Sequence, residues 1–163
     1  MEFFTVSLFG HREISGLKQL ENQLFPILKQ ILQTKNYVVF LVGRNGEFDI
    51  FAASVIKRVQ KAMGKENSEL IGVFPYSQKD MEYFEKYYDA VVIPECIGRM
   101  HPKGAITKRN RWMVEQADCL ICYVERENGG AYNAMKYAEK LSKKVINLAK
   151  KECAEMSEAG GKT

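Results

Sequence analysis

Short apolar runs alternate with segments of helical period along almost the whole sequence. The apolar runs cover residues 3–9, 37–43, 69–75, 90–94, 118–124 and 144–148. The segments between them, at residues 16–34, 49–63, 80–88, 106–116 and 131–141, are the predicted helices. Such alternation is typical of consecutive βαβ units, which build a parallel sheet.

The run at residues 37–43 is almost entirely apolar, as expected for a strand that helices cover on both faces. A chain of 163 residues fits one domain. We therefore predict an α/β fold, a Rossmann-like three-layer sandwich with a mostly parallel sheet of about six strands. The domain is expected over residues 1–150, with a flexible tail over residues 151–163. Pro26 predicts a kink or a fresh start within the first helix.

Cys119 and Cys122 form a C-x-x-C pattern, which in other proteins marks redox or zinc sites. Here the pattern lies within a predicted strand, where residues three apart point to opposite faces. A redox pair needs a helix N-terminus that lowers the thiol pKa, and no second Cys or His pair has metal-ligand spacing. We expect buried structural cysteines, and neither a metal nor a cofactor.

The apolar runs are far too short to span a bilayer. The first residues lack the basic region and the long apolar core of a signal peptide. We therefore predict a cytoplasmic protein that does not bind membranes.

The positive charge is concentrated in the second part of the chain. Residues 99–163 carry 13 basic and 8 acidic side chains, whereas residues 1–98 carry 11 and 12. Arg99, Lys103, Lys108, Arg109 and Arg111 follow one another without an acidic residue among them. Such a patch can attract nucleic acid or a nucleotide phosphate, and it can equally be a solvated helix face.

Polar and glycine residues follow the predicted strand ends. In an open parallel sheet, ligands bind outside the carboxyl ends of the strands, near a topological switch point. The candidates for ligand binding at these ends are Gly10, His11, Arg12, Gly43, Arg44, Asp49, Gly129, Gly130 and Asn133, together with Arg109 on the helix before the fifth strand. We therefore expect the ligand site at this edge of the sheet.

The pair Gly129-Gly130 stands between a strand and a helix. Two glycines there let the backbone approach an anion, and the helix N-terminus offers N–H groups and a positive dipole end; they can also form a plain turn. Arg12 offers a bidentate guanidinium to phosphate, and His11 could donate a hydrogen bond or titrate near neutrality. Asp49 can cap its helix or accept from a ribose hydroxyl.

Arg109 and Arg111 point about 200° apart on a helix, so they cannot share one site equally, whereas Arg109 and Met113 share a face. Trp112 is expected in the core or an interface, and its alternative role is a platform on which a base stacks. The sequence has no nucleophile–base pattern, no Walker lysine and no G-x-G-x-x-G fingerprint. An NAD dehydrogenase and a P-loop enzyme are therefore not expected.

Three motifs in order resemble the SLOG superfamily, which joins the cytokinin-releasing LOG phosphoribohydrolases with the DNA-processing DprA/Smf proteins. They are Ser7-Leu-Phe-Gly-His-Arg12, Arg109-Asn-Arg-Trp-Met113 followed by Ala117-Asp118, and Gly129-Gly130 before a helix. The resemblance covers residues 3–148. Within the superfamily, the chain is similar to small uncharacterised SLOG proteins of Firmicutes. It implies a Rossmann-like fold and a nucleotide or nucleotide-derived ligand. Related proteins commonly pair, so we expect a homo-oligomer, with aromatic surface at Trp112 and Tyr132.

The chain departs from the LOG motif where hydrolysis would occur. Asn110 replaces the LOG lysine, Asn128 the proline, Tyr132 and Asn133 the glycine and threonine, and Lys136 stands at the position of the glutamate. A lysine would oppose a developing oxocarbenium cation. Glu127 and Arg109 are the catalytic candidates that the same region offers, with Glu125 a further acid in the loop.

Three functions follow from these observations. The first is binding of a nucleotide or nucleotide-derived phosphate ligand at the carboxyl edge of the sheet, which would suit a sensor module. The alternatives are a LOG-like nucleoside monophosphate phosphoribohydrolase and a DprA-like single-stranded DNA-binding protein that uses the basic stripe from Arg99 to Arg111.

Overall fold

Strands and helices alternate along the chain as the sequence pattern predicts. The computed structural model describes residues 2–149, so the predicted tail at residues 151–163 lies outside the described residues. The strands are β1 (Phe3–Gly10), β2 (Tyr37–Val42), β3 (Ser68–Val73), β4 (Ala90–Val92), β5 (Cys119–Tyr123) and β6 (Lys144–Asn147). The helices are α1 (Leu17–Thr34), α2 (Glu47–Met63), α3 (Met81–Tyr87), α4 (Pro102–Gln116) and α5 (Gly130–Lys140), with a 3₁₀ turn at Glu95–Ile97.

The strands form one sheet in the order β4-β3-β2-β1-β5-β6, and every neighbouring pair is parallel. The sheet predicted as mostly parallel is therefore wholly parallel over the described residues. The chain builds outward from β1 to β4, then returns to place β5 on the other side of β1. The strand order thus reverses between β1 and β5, where Gly10 lies opposite Tyr123.

Helices cover both faces of this sheet. Leu20, Leu24, Leu28 and Leu32 of α1 are buried against one face, beside α2. Each buried leucine contributes about 1.5–3 kcal/mol relative to an exposed one. The helices α4 and α5 pack on the other face, so the predicted three-layer sandwich is confirmed. Within residues 2–149, no helix is both long and apolar enough to cross a membrane.

The two cysteines of the C-x-x-C pattern lie on opposite faces of β5. Cys119 packs in the cluster beneath α1 and α2, and Cys122 in the cluster beneath α4 and α5. Burial raises the pKa of the Cys119 thiol, which disfavours the reactive thiolate. The predicted burial of both cysteines is therefore confirmed. Among the described residues, no group of three or more His, Cys, Asp and Glu side chains could hold a metal ion.

The helices α1 and α4 differ most from the prediction. The expected fresh start at Pro26 is wrong, because α1 runs unbroken through this residue; the buried leucines on both sides hold it against the core. The helix α4 begins at Pro102, four residues before the predicted start at 106. Proline suits a first turn, where its missing N–H would have no helical partner, and His101 Nδ1 accepts from the Lys103 amide there at 3.3 Å.

Candidate functional site

A cleft of about 360 Å³ opens at the carboxyl edge of the sheet, above β1 and β5. It therefore lies at the topological switch point, where ligands of open α/β sheets bind. Seven of the predicted ligand-binding residues line it: Gly10, His11, Arg12, Asp49, Arg109, Gly129 and Gly130. Most of the residues that the sequence pattern singles out are thus brought together at one surface.

His11 joins the two loops that flank the switch point. Its side chain is 5% exposed, and its Nε2 accepts hydrogen bonds from the amides of Glu125 at 2.8 Å and Arg126 at 3.3 Å. A ring nitrogen that accepts carries no proton, so His11 is neutral with its proton on Nδ1. Burial lowers the pKa of His11, the Arg126 charge lowers it further, and Glu125 opposes both. His11 is therefore an acceptor that positions the loop leading to Gly129.

The glycine turn forms the wall of the cleft at the start of α5. Gly129 has φ 95° and ψ 173°, a conformation that is essentially restricted to glycine. Apart from Gly129 itself and its chain neighbours, no described heavy atom lies within 4 Å of the position that a Cβ of Gly129 would take. No side chain of the described residues caps α5, and its first turn has no acidic residue. The first turn of α5 therefore offers N–H groups without helical partners and a positive dipole end, and its residues Gly130 and Ala131 line the cleft.

Backbone contacts clamp the loop after β1 against the start of α2. The Glu47 amide donates to the Arg12 carbonyl at 2.8 Å, and Glu47 Oε1 accepts from the Ile14 amide at 2.8 Å. A Cβ at Gly46 would lie 2.6 Å from Arg12 Cα, so the close approach requires glycine. These contacts fix the backbone of Arg12 while its exposed side chain stays at the cleft.

Three exposed cations line the same cleft as the glycine turn. Arg12, Lys103 and Arg126 line the cleft, and each is exposed. Among the residues that line the described cleft, Asp49 supplies the carboxylate. The cleft is therefore electropositive. Sequence reasoning placed Lys103 in the basic segment without assigning it to this site, and it missed Arg126, which belongs to no motif.

Arg109 is the most heavily bonded side chain of the site. It is 3% exposed, and its guanidinium donates to the Val73 carbonyl at 2.8 Å, to Asn45 Oδ1 at 2.6 Å and to Asn110 Oδ1 at 2.8 Å. Burial lowers its pKa, against the charge of Asp49. Arg109 therefore ties α4 to the ends of β2 and β3, with its remaining donors near the cleft.

Gly43 and Asp49, two of the predicted residues, contribute to the packing and hydrogen bonds around Arg109. A Cβ at Gly43 would lie 2.9 Å from Arg109 Nη1, so Gly43 makes room for the guanidinium. Asp49 is half-buried, and its Oδ2 accepts from the Asn45 amide at 2.9 Å. Burial raises the pKa of Asp49, although that hydrogen bond and the charges of Arg109 and Arg12 lower it in part. Asp49 therefore holds the loop that Arg109 also holds.

Gly10 lies where α2 packs closely over the end of β1. A Cβ at this position would collide with the ring of Phe48 from α2, which is fully buried. Gly10 therefore lets α2 pack over the end of β1, although its backbone also borders the cleft. Gly10 thus has a packing role in the fold, and its place among the ligand-binding residues stays a prediction.

Three further candidates lie outside the cleft. Arg44 donates to Tyr88 Oη at 3.1 Å and stacks over the Phe84 ring at 4.8 Å, so it binds the aromatic side chains around α3. Asn133 lines a neighbouring pocket between α4 and α5. Glu127 is exposed and is not among the lining residues. Trp112 and Tyr132 are half-buried against the core, and the homo-oligomer remains a prediction.

The fold and the site together define an α/β protein with a Rossmann-like sheet and an electropositive cleft at its switch point. Solved structures with this fold include DNA processing protein A (DprA) from Streptococcus pneumoniae, with a TM-score of 0.64 and 17% identity over 97% of this chain and 57% of that one. DprA from Helicobacter pylori gives a TM-score of 0.60 and 15% identity, over 87% of this chain and 63% of that one. The Moco carrier protein of Chlamydomonas rheinhardtii gives a TM-score of 0.56 and 16% identity, over 98% of this chain and 84% of that one.

These likenesses confirm the fold that the SLOG resemblance implies. The chain spans about three fifths of the length of either DprA protein. The DprA protein of Helicobacter pylori binds single-stranded DNA. No protein-family model matches the sequence, and no curated protein matches it.

Proposed function

We propose that this chain is a SLOG-type protein that binds a nucleotide or nucleotide-derived phosphate ligand in the cleft above β1 and β5. One observation carries the proposal: an uncapped glycine turn at the switch point faces three exposed cations. A phosphate at the first turn of α5 would accept from backbone N–H groups and lie within the field of Arg12, Lys103 and Arg126. A binding protein of this kind would suit a sensor module.

The size and polarity of the cleft suit a small nucleotide. Its volume of about 360 Å³ falls within the range of small-molecule sites. Asp49, which follows β2 in the chain, supplies an acceptor to the lining of the cleft. Its carboxylate would accept from a ribose hydroxyl, which a free phosphate ion does not have. We therefore expect nucleotides to bind more tightly than inorganic phosphate.

A matched pair of glycine variants tests the phosphate site. Gly129 and Gly16 both precede a helix with positive φ, at 95° and 66°, and both lack a side-chain cap. Gly16 does not line the cleft. Alanine should strain the backbone by about 1–3 kcal/mol at either site. In isothermal titration calorimetry with AMP, Gly129→Ala should weaken binding by about tenfold or more, which corresponds to the loss of at least one good hydrogen bond. Gly16→Ala should leave the AMP affinity unchanged.

A thermal-shift panel of nucleotides, cyclic nucleotides and ADP-ribose derivatives identifies the ligand. At a hundredfold excess over Kd, a ligand adds about 2.7 kcal/mol to the free energy of unfolding. For a chain of this size that raises Tm by roughly 5–11 °C. A panel with no shift would contradict the proposal, as would equal loss of AMP affinity in both glycine variants.

The site favours binding over N-glycosidic hydrolysis. Lys136 pairs with Glu139 at 3.1 Å, and Glu127 is exposed outside the lining of the cleft. We therefore expect no adenine release when the protein is incubated with AMP and the products are separated by chromatography. Sustained release that Glu127→Gln abolishes would establish the phosphoribohydrolase instead.

Single-stranded DNA binding is the second candidate, favoured by the cations of α4. Lys103, Lys108 and Arg111 are all exposed on this helix, whereas Arg109 is buried and cannot contribute to a surface stripe. This function predicts an affinity for oligo(dT) that falls steeply as the salt concentration rises. In the Lys103→Gln/Lys108→Gln variant, the slope of log affinity against log salt concentration should be smaller by about two. No anisotropy change at low salt would exclude it.

A further inference from the structure

A second pocket of about 350 Å³ lies between α4 and α5, next to the cleft. Three cations line it: Arg111 of α4, and Lys136 and Lys140 of α5. All three are exposed at the pocket surface. Arg109 and Arg111, which the helical period places on different faces, thus serve different surfaces. This pocket shares Gly130 with the cleft, but its three cations do not line the cleft in which we place the phosphate.

The charges of this pocket are only partly compensated within the protein. Lys136 forms an exposed ion pair with Glu139 at 3.1 Å. Within the described residues, neither Arg111 nor Lys140 lies within 4.0 Å of a carboxylate oxygen. Arg111 stacks over the Tyr137 ring at 4.9 Å, and Glu115 accepts from Tyr137 Oη at 2.6 Å. The aromatic ring therefore holds the guanidinium in place without neutralising it.

The two pockets are continuous. Thr107, Asn110 and Gly130 line both of them. Asn110 Oδ1 accepts from Arg109 Nε at 2.8 Å, which makes the other end of its amide a donor. That nitrogen, Asn110 Nδ2, lies 3.5 Å from the position that a Cβ of Gly130 would take. A fixed donor therefore stands at the border, beside the turn that we assign to phosphate.

We propose that the natural ligand carries two phosphate groups, with the second bound between α4 and α5 by Arg111 and Lys140. This inference rests on the proposed function, because it places the first phosphate at the Gly129-Gly130 turn. Because the turn and these two cations line different pockets, we place the two phosphates on different hydroxyls of the sugar, as in a nucleotide phosphorylated at both ends of its ribose or in one step of a nucleic acid strand. A ligand with a single phosphate leaves Arg111 and Lys140 without an anionic partner. A ligand with two phosphates on one sugar would place one in each pocket.

Titration with matched nucleotides tests the proposal. The probes are AMP, adenosine 3′,5′-bisphosphate and the dinucleotide pApA, measured by isothermal titration at constant ionic strength. The wild-type protein should bind the bisphosphate or the dinucleotide about tenfold or more tightly than AMP, as charge-assisted contacts to a second phosphate would give. Preference for the bisphosphate indicates a small nucleotide, and preference for pApA indicates a strand.

The double variant Arg111→Gln/Lys140→Gln should lose this preference and keep the AMP affinity. The variant Lys29→Gln/Lys144→Gln is the control, because it makes the same change in charge at exposed lysines that line neither pocket. It should retain the preference. Equal wild-type affinity for all three probes, or a preference that survives the first variant, would overturn the inference while AMP binding upheld the phosphate site. Failure of all three probes to bind would overturn both.

Discussion

Replacement of Arg109 by methionine distinguishes a structural role from a ligand-binding role for the most buried cation of the site. Methionine keeps much of the length of the side chain and removes the guanidinium. Three acceptors then lose their donor: the Val73 carbonyl, Asn45 Oδ1 and Asn110 Oδ1. Asp49 also loses the neighbouring positive charge that opposes the rise of its pKa.

The expected loss of stability is large. Removal of one partner from a buried charged network costs about 3–5 kcal/mol. That is a substantial part of the roughly 5–15 kcal/mol by which a native domain is stable. With about 2–4 °C of Tm per kcal/mol for a chain of this size, Tm should fall by roughly 6–20 °C. Adding Asp49→Asn should restore part of the loss, because the partly buried carboxylate no longer needs a counter-charge.

Urea unfolding followed by circular dichroism measures the difference in the free energy of unfolding. Arg111→Met is the control, since Arg111 is exposed two residues away and should change stability by less than about 1 kcal/mol. A structural role for Arg109 would be contradicted if the free energy of unfolding of Arg109→Met lay within about 1 kcal/mol of the wild-type value and the variant no longer bound nucleotides. Arg109 would then be a ligand contact, as the sequence alone suggested.

Two further predictions concern the loop after β1. Gly10→Ala should destabilise the protein by about 1–3 kcal/mol or more, because its Cβ meets the Phe48 ring, and Phe48→Leu in the same chain should recover part of this in urea unfolding. His11 has a pKa below the usual value of about 6.5, so the folded state binds fewer protons than the unfolded state. Its contribution to stability should be complete above about pH 6.5 and should decrease as the pH falls through the folded-state pKa, because protonated Nε2 no longer accepts from the Glu125 and Arg126 amides. Between pH 8 and pH 5, the free energy of unfolding measured in urea should decrease less for His11→Gln than for the wild type. The same pH dependence in both proteins would contradict this role of His11.

The sequence predicts the architecture well because the relevant signals are local. The alternation of apolar runs and helical periods identifies the strands and helices, and burial on both faces of the sheet explains runs such as that at residues 37–43. The paired glycines after β5 and the Gly10-His11-Arg12 segment after β1 meet at the cleft, since carboxyl ends of parallel strands share one edge. The predicted start of α4 is too late because proline within a first turn resembles a break.

The roles of individual residues depend on partners far away in the sequence. His11 binds amides that follow it by 114 and 115 residues, and Arg109 binds Asn45 across 64 residues. Gly10 is required by a phenylalanine on the second helix of the chain. No periodicity or motif encodes such pairs. Residue type and position therefore indicate where a site lies, whereas only the fold separates supporting residues from those open to a ligand.

An NMR titration of the ¹⁵N-labelled protein tests whether a nucleotide phosphate binds at the Gly129-Gly130 turn. AMP should shift the backbone amide signals of Gly130, Ala131 and Tyr132, because its phosphate would accept from the first turn of α5. Adenosine, which lacks the phosphate, should shift these signals far less at the same concentration. Amide shifts confined to another part of the sheet, or equal shifts with AMP and adenosine, would contradict a phosphate site at the Gly129-Gly130 turn.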